Sequence, residues 1–408
     1  MLTAEPEDVG LDRRRLARVD DVTHRYVDDG KFPGVVTVVA RRGEVVHHDR
    51  YGWADVEARR EHRDDDIFRI YSMTKPITSV ALMMLYEEGR VLLENPVSRY
   101  IPAFADTQVW ESGDAENYTT TPPDRPMTVH DVLAHMSGLT AGFQFQHPVD
   151  ALYRANGLGD LSRPDMSLAE GMDVLAGMPL LFTPGSRWAY GSSTDVVGRI
   201  VEVVSGQTLD RFFRDRILDP LGMVDTGFWV EPDRHDRLVA NYVRGRDRTL
   251  RRIDESGPSS AYAHRPAYLS GAGGLVSTAS DYQRFLDMLA GGGAANGVRI
   301  LGPRTLAYMA SNHLPGGVTL NDMGQSTFSE TAMAGTGFGL GFSVVVDPAA
   351  NQSMTSIGEY GWGGAASTAF WVDPAEELTV LFLTQLVPSN TYPIRRQLRS
   401  TVYQAIVD

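Results

Sequence analysis

Runs of β-branched and apolar residues predict strands at both ends of the chain. Near the start, Val35 to Arg41 and Val45 to Tyr51 flank an Arg42-Gly43 turn, which is the pattern of a β-hairpin. Near the end, "GFGLGFSVVVDP" and "STAFWVDPAEELTVLFLTQ" repeat this pattern, the second with a turn at Asp373-Pro374, and a helix is predicted from about Pro393 to Val407. These elements predict one sheet that is assembled from both termini.

The middle of the chain follows a helical pattern instead. Ile77 to Gly89 places its apolar residues at helical spacing and ends at a glycine. Shorter segments with the same spacing are separated by Pro- and Gly-rich loops, at Val129 to Ala134, Leu168 to Ala176 and Thr194 to Val204. The polar stretch from Asn321 to Thr336 is predicted to be a long surface or lid loop.

These patterns predict an α+β architecture, in which an antiparallel sheet is flanked by helices and carries an inserted, mostly helical domain. Residues 1–76 and 225–408 are assigned to a sheet-and-helix domain that is built from both termini. Residues 77–224 are assigned to the inserted domain.

Composition and charge narrow the classes of function. The chain has 408 residues, of which 42% are hydrophobic and 22% are charged, as in a typical globular protein. No apolar run approaches the roughly 18 residues that a membrane span requires. The formal net charge of −14 argues against nucleic acid or an anionic membrane as a partner. The one Arg-rich run, from Arg244 to Arg252, is expected to be a solvated loop.

The residue inventory also excludes several kinds of site. Because the chain has no cysteine, it has no disulfide, thiol nucleophile or cysteine-based metal site. No H-E-x-x-H or comparable pattern indicates a metal, and no G-x-S-x-G indicates an α/β-hydrolase. The first residues lack a basic segment followed by an apolar one. A cytoplasmic protein with no metal or organic cofactor is therefore expected.

The stretch "IYSMTKP" contains Lys75, one of only two lysines in the chain; Lys31 is the other, and arginine supplies the remaining 36 of the 38 basic residues. On a helix, Ser72 and Lys75 would share one face about 5–6 Å apart. Pro76 is tolerated only in a first turn, so Ser72 would lie near a helix N-terminus, where unpaired N–H groups favour an anion.

A lysine can accept the proton of a serine when its pKa is lowered, whereas an arginine stays protonated. The pair Ser72 and Lys75 therefore indicates a nucleophile and its base. A helix cap beside a surface charge would give the same spacing, so the pair by itself leaves both interpretations open.

Three later stretches, taken with this motif, resemble the serine β-lactamase and penicillin-binding protein superfamily, in which S-x-x-K holds the nucleophile. They are "VLAHMSGL" (Val132 to Leu139), "FTPGSRWAYGSSTDVVGRIVEVVSG" (Phe182 to Gly206) and "GGLVSTASDYQRFLDML" (Gly273 to Leu289). They are similar to the class C β-lactamase-like branch. The resemblance implies the fold of that branch and a site between its two domains.

The second motif of that branch is Tyr-x-Asn, and Tyr190 occupies the place of its tyrosine. The resemblance implies that Tyr190 is the partner of Lys75, a phenol whose ionised form the ammonium favours and which passes the proton of Ser72 to the leaving group. Ser192 stands where the family has an Asn that helps to hold a β-lactam amide, and this change counts against β-lactam recognition.

The third motif of β-lactamases is Lys-Thr-Gly on an edge strand, and Trp362-Gly363-Gly364 stands in its place here. Trp362 replaces a cation that would bind a carboxylate, and the two glycines would allow a substrate to approach the strand closely. By the same resemblance, the N–H groups of Ser72 and Ala365 would form an oxyanion hole. The combination of motifs resembles the family VIII carboxylesterases, which act on short-chain acyl esters.

The sequence thus predicts a serine carboxylesterase for short- to medium-chain acyl esters, working through an acyl-enzyme on Ser72, with an ester and water as its small-molecule partners. Tyr71 and Phe143 are expected to contribute to substrate binding, and His135 to be structural. A β-lactamase, a D-amino-acid amidase or peptidase, an acyltransferase, and a non-catalytic acyl-binding or sensor protein are the alternatives. No pattern indicates the oligomeric state.

Overall fold

The computed structural model describes residues 1–158, 165–323 and 330–408. The strands in these ranges are, in chain order, β1 (Gly34–Arg41), β2 (Glu44–Asp55), β3 (Arg60–Glu61), β4 (Phe68–Arg69), β5 (Val109–Gly113), β6 (Tyr118–Thr121), β7 (Asn241–Arg244), β8 (Leu250–Asp254), β9 (Val276–Ser277), β10 (Ala294–Ala295), β11 (Val298–Arg299), β12 (Thr336–Phe338), β13 (Ser343–Val345), β14 (Tyr360–Gly363), β15 (Ala369–Asp373), β16 (Leu378–Leu383) and β17 (Leu386–Val387).

The α-helices in the same ranges are α1 (Arg13–Leu16), α2 (Arg18–Asp28), α3 (Thr74–Glu87), α4 (Val129–Leu133), α5 (Pro148–Ala155), α6 (Leu168–Ala176), α7 (Ser193–Ser205), α8 (Leu209–Phe213), α9 (Asp219–Leu221), α10 (Ala279–Ala290), α11 (Pro303–Met309), α12 (Leu320–Met323), α13 (Pro348–Asn351) and α14 (Ile394–Tyr403).

Eight of the strands form a central antiparallel sheet, in the order β12-β13-β14-β15-β16-β1-β2-β3. The two ends of the chain meet where β1 pairs with β16, with Val38 opposite Leu381. The predicted α+β fold, with one antiparallel sheet assembled from both termini, is confirmed.

The turn between β1 and β2 follows directly from its sequence. Arg42 and Gly43 both have positive φ angles, 54° and 80°, as a two-residue turn with right-handed strand twist requires. The predicted hairpin is therefore present, with β2 extending beyond the predicted end to Asp55.

Alternate residues of β1 enter two different cores, because successive side chains of a strand point to opposite faces. Val36 and Val38 pack in the core that also contains α3 and α10. Val35 and Val39 pack in a second core with apolar residues of α2 and α14. The sheet is thus covered by helices on both faces, and α3 is buried beneath it.

Residues 77–224 contain the predicted helical segments and a hairpin, β5–β6, that the hydrophobic pattern missed. The hairpin is mostly exposed, and only Val109 of β5 is buried. A strand that buries so little gives no alternating signal. The helix α3 crosses the predicted domain boundary at residue 76, since it begins at Thr74.

The Arg-rich run from Arg244 to Arg252 was expected to be a solvated loop, which is right for residues 245–249 but not for the two ends of the run, which belong to strands. It forms the turn between β7 and β8 and the first residues of β8. Because β8 is paired on one side and alternates between half-buried and exposed positions, its arginines occupy strand positions without entering a core.

The predicted lid loop from Asn321 to Thr336 lies partly outside the described residues, at 324–329. Its flanks belong to α12 and β12. Among the described residues, no helix is both long and apolar enough to cross a membrane.

Candidate active site

Ser72 and Lys75 lie at the junction of a short 3-10 turn, Tyr71–Met73, and α3. Pro76 fits here because it is in the first turn of the helix, where its missing N–H would have no partner. The Lys75 Nζ lies 3.3 Å from Ser72 Oγ and donates to the carbonyl O of Ala272 at 2.8 Å. The amine is buried and directed at the serine.

Tyr190 completes this cluster from the segment just before α7. Its hydroxyl donates to Ser72 Oγ at 2.5 Å. The Lys75 Nζ lies 4.7 Å from the centroid of the Tyr190 ring, over its face. The structure therefore places an amine, an alcohol and a phenol in one buried group, as the S-x-x-K motif and the tyrosine motif indicated.

The protonation states of this cluster follow from its burial. Burial lowers the pKa of Lys75 to about 8, although the carboxylates of Asp195 and Glu330 oppose the shift. Burial and the Glu330 carboxylate raise the pKa of Tyr190. Tyr190 is thus a neutral phenol, which corrects the expectation that its ionised form would be favoured: burial disfavours the phenolate charge, and Glu330 repels it.

Asp195, in the first turn of α7, is an acidic group that the sequence patterns did not reveal. Its carboxylate accepts hydrogen bonds from Ser270 Oγ at 2.8 Å and from the N–H of Ala272 at 3.0 Å. The Ala272 carbonyl in turn holds Lys75. Burial raises the pKa of Asp195, and the hydrogen bonds and Lys75 oppose that rise. A buried Asp among Ser and Thr residues at a helix start looks like an ordinary cap in sequence.

A cavity of about 380 Å³ opens onto Ser72, Lys75 and Tyr190. The predicted residues Tyr71, Phe143, Ser192 and Ala365 also line it. Its remaining wall includes side chains that sequence reasoning missed, among them Leu158, Leu175, Tyr262, Tyr268 and Glu330. The cavity lies at the small end of the size range for ligand sites, and aromatic and aliphatic groups form much of its lining.

The third-motif residues have a different place from the one expected. Trp362, Gly363 and Gly364 do not line this cavity. Trp362 is buried behind Tyr190, with ring centroids 5.4 Å apart in an edge-on contact. Its strand, β14, is internal to the sheet rather than an edge strand, although β13 pairs only with its first two residues.

The two glycines of the motif make room for protein groups rather than for a substrate. A Cβ on Gly363 would lie 2.4–2.6 Å from the guanidinium of Arg395. A Cβ on Gly364 would lie 2.4 Å from the carbonyl O of Ile70, in the segment that precedes the nucleophile. In both cases the space where a Cβ would lie is filled by a protein group.

His135 is buried against Tyr190, at 5.5 Å between ring centroids, and against Phe338. Burial and the nearby charge of Lys75 lower the pKa of His135 well below its usual value. The ring is therefore neutral and packed, as expected for a structural histidine.

The described residues include one group of His and acidic side chains placed to hold a metal ion, Asp20, His24 and Asp49. None of the three lines the cavity. His24 Nε2 and Asp49 Oδ2 are already paired with each other at 2.8 Å.

Comparison with known proteins gives consistent matches over nearly the whole chain. The family model named Beta-lactamase matches residues 19–402. An uncharacterised protein of Mycobacterium tuberculosis is 35% identical over 364 residues, 88% of each chain. Esterase EstB of Burkholderia gladioli is 32% identical over 98% of each chain.

Solved structures agree with these matches. EstCE1, described as a hydrolase with promiscuous acyltransferase activity, superposes with a TM-score of 0.81 at 27% identity. The superposition covers 96% of this chain and 99% of EstCE1.

Proposed function

This chain belongs to the beta-lactamase family, and we propose that it is a serine carboxylesterase of that family, which hydrolyses short- to medium-chain acyl esters. The family relationship makes it a hydrolase or acyl-transfer enzyme, with the resemblance to carboxylesterases confirmed by its relatives. The observation that carries the proposal is the position of Ser72 Oγ, 2.5 Å from the Tyr190 hydroxyl and 3.3 Å from Lys75 Nζ.

Acylation uses the three groups in turn. Neutral Lys75 accepts the proton of Ser72 as Oγ attacks the ester carbonyl. The N–H groups of Ser72 and Ala365, two residues that line the cavity, stabilise the oxyanion. As the C–O bond breaks, Tyr190 gives its proton to the leaving alkoxide, and the phenolate takes the proton from Lys75. The alcohol leaves, and the acyl group remains on Ser72.

Deacylation follows the reverse path. A water molecule takes the place of the alcohol, and the cluster of Lys75 and Tyr190 accepts its proton as it attacks the acyl carbonyl. Ser72 Oγ then leaves as the acid forms, and it recovers a proton from the same cluster. At the end of the cycle Ser72, Lys75 and Tyr190 have all returned to their starting protonation states.

The charge of the cavity favours esters over β-lactams. Among the described residues that line it, Lys75 is the one cation, and Asp195 and Glu330 are acidic. Glu330 is paired with Arg395, so the charge that a β-lactam carboxylate would meet is that of Asp195, and Trp362 stands where the family has a cation that would bind the carboxylate. A neutral ester meets no such barrier.

Acyl transfer to an alcohol is the second candidate function, supported by the activity that the description of EstCE1 records. An alcohol that reaches the acyl-enzyme before water forms a new ester by the same steps. Product analysis with and without added alcohol separates the two outcomes, because transfer yields the new ester and hydrolysis yields the free acid.

Comparing the rates for 4-nitrophenyl acetate, butyrate and octanoate with that for a chromogenic cephalosporin tests the proposal. We expect the short and medium esters to react faster than the cephalosporin. Ser72→Ala should lower kcat/KM for the esters by more than about 1,000-fold, because the nucleophile is lost. Ser400→Ala, at an exposed position of α14, is the matched control and should behave as wild type.

Covalent labelling gives an independent measurement. A fluorophosphonate should label the wild-type protein and the control variant but not Ser72→Ala. Labelling of another serine in Ser72→Ala, with ester hydrolysis preserved, would disprove the assignment of the nucleophile.

A further inference from the structure

Arg395, in the first turn of α14, extends to the turn that carries Ala365. Its Nη2 donates to the carbonyl O of Gly364 at 3.0 Å and to that of Thr368 at 2.6 Å. The Gly364 N–H also donates to the Thr368 carbonyl at 2.9 Å. One guanidinium therefore binds both sides of the turn between β14 and β15.

The Gly364 carbonyl and the Ala365 N–H belong to a single peptide unit. This unit is planar and trans, so its C=O and N–H point in opposite directions. Arg395 binds the C=O. Ala365 lines the cavity beside Ser72, whereas Arg395 does not. A contact that directs the carbonyl towards Arg395 thus directs the N–H away from it, towards the cavity.

The sequence leaves space for this contact at Gly363. Any side chain there would collide with the guanidinium, since a Cβ would lie 2.4 Å from Arg395 Nη2. The guanidinium therefore requires a glycine next to the residue whose carbonyl it binds. This requirement gives the first glycine of the third motif a physical reason.

Glu330 also holds the guanidinium. Arg395 Nη1 donates to the Glu330 carbonyl O at 2.7 Å, and Nη2 pairs with Oε2 at 2.8 Å. The Glu330 side chain is 1% exposed and that of Arg395 is 16% exposed. The ion pair with Glu330 cancels most of the positive charge that Arg395 brings to the site. Arg395 therefore acts on the site through the direction of its hydrogen bonds rather than through its charge.

We propose that Arg395 is a positioning residue for the oxyanion hole, and that it fixes the direction of the Ala365 N–H by holding the Gly364 carbonyl. The inference rests on the acyl-transfer chemistry proposed above. A hydrogen bond from a cation to the carbonyl also polarises the amide and strengthens its N–H as a donor. Because the oxyanion exists only in the tetrahedral state, the effect falls on kcat rather than on KM.

Steady-state kinetics with 4-nitrophenyl butyrate tests this role. Arg395→Ala should lower kcat by about 10- to 100-fold, less than the loss of an oxyanion donor outright, with KM changed by less than about twofold. Arg396→Ala, the exposed neighbour on the same helix, is the matched control and should retain the wild-type kcat.

Chemical rescue distinguishes positioning from a general structural role. Arg395 lines a second cavity of about 420 Å³, which Ser72 does not line and through which a small cation can enter. Guanidinium chloride at about 10 mM should restore part of the kcat of Arg395→Ala. Gly363→Ala should lose kcat in the same way but without rescue, because its Cβ occupies the place of the guanidinium. This variant also provides the measurement if Arg395→Ala does not fold.

A double variant separates direction from charge. If Arg395 acts only by neutralising Glu330, then Glu330→Gln combined with Arg395→Ala should recover the wild-type kcat, and the proposal is wrong. A persistent loss of kcat in the double variant supports it. A folded Arg395→Ala with kcat within twofold of wild type would also overturn it.

The rate of Ser72 labelling by a fluorophosphonate distinguishes failure of this inference from failure of the proposed esterase function, because the phosphoryl oxygen enters the same oxyanion hole. If the wild type labels but hydrolyses no ester, the esterase proposal fails, and the labelling rates of the same variants still test Arg395. If Ser72 does not label at all, both proposals fail.

Discussion

The Lys75 amine is held by a backbone carbonyl rather than by an acid. Its shortest contact is with the Ala272 O, at 2.8 Å, and the carboxylates of Asp195 and Glu330 act on it through space. A direct salt bridge would keep the amine protonated, whereas a carbonyl accepts a hydrogen bond from either protonation state. The contact therefore positions Lys75 without preventing it from acting as a base.

The pKa of Lys75 predicts the pH dependence of the reaction. Lys75 accepts a proton only when it is neutral. Below its pKa of about 8, kcat/KM should therefore increase about tenfold for each pH unit, and above that pKa it should become constant. Asp195 raises the pKa of Lys75, and Asp195→Asn should therefore shift the midpoint to lower pH. A pH profile of kcat/KM for 4-nitrophenyl butyrate measures the shift.

The control for this profile is Asp173→Asn, the same change at an exposed position of α6. It should leave the midpoint unchanged. A midpoint in Asp195→Asn that moves to higher pH, or does not move, would contradict the role assigned to the carboxylate.

Among the elements, the hairpin β1–β2 and the helix α14 show two ways in which local sequence supports the fold. The hairpin depends on the backbone of a two-residue turn, with Gly43 at φ 80°. The helix depends on an apolar face, with Ile394, Leu398 and Val402 buried in the core shared with β1. Local backbone geometry thus fixes the hairpin, whereas packing against the core fixes the helix.

The turn makes a prediction about stability. Gly43→Ala should lower the free energy of unfolding by about 1 kcal/mol, because a Cβ is strained at positive φ. No atom lies within 4 Å of the added Cβ, so the effect is one of the backbone alone. Gly177→Ala is the matched control, since Gly177 has a φ of −77° and its Cβ would make only ordinary contacts.

Urea unfolding measures both variants. The control should be as stable as wild type or slightly more stable, because alanine reduces the entropy of the unfolded chain. Equal stability of the two variants would show that the Gly43 conformation is not strained for alanine. Neither variant should change kcat.

For the whole molecule, the charge of the site and the charge of the protein have the same sign. The net charge is −14; among the described residues of the cavity Glu330 is paired with Arg395, so Asp195 leaves the site negative when Lys75 is neutral. The field around the entrance therefore opposes anions at long range as well as within the cavity.

Anionic esters should consequently be poor substrates. We expect kcat/KM for 4-nitrophenyl hydrogen succinate to be at least about tenfold lower than for the neutral methyl ester of the same acid. Raising the NaCl concentration from about 20 mM to about 500 mM should bring the two kcat/KM values closer together, because salt screens the field of the protein. A ratio that does not change with salt, or a faster anionic ester, would rule out the electrostatic explanation.

The sequence by itself determined the S-x-x-K motif and the strands at both ends. Each of these is a local pattern: Ser72 and Lys75 share a helical face, and the β1–β2 hairpin has its own turn. The resemblance, rather than a local pattern, placed Tyr190 and Ala365 at the cavity. Local spacing is sufficient where the residues that act together lie within one element.

Tertiary structure decided the protonation of Tyr190 and the position of Trp362 behind it. It also decided which distant residues, Asp195, Glu330 and Arg395, act on the site. Their contacts join distant parts of the chain: Lys75 meets Ala272 197 residues away, and Arg395 meets Glu330 65 residues away. No periodicity connects such positions. Burial, which sets the pKa of Lys75 and of Tyr190, likewise exists only once the sheet and the helices enclose them.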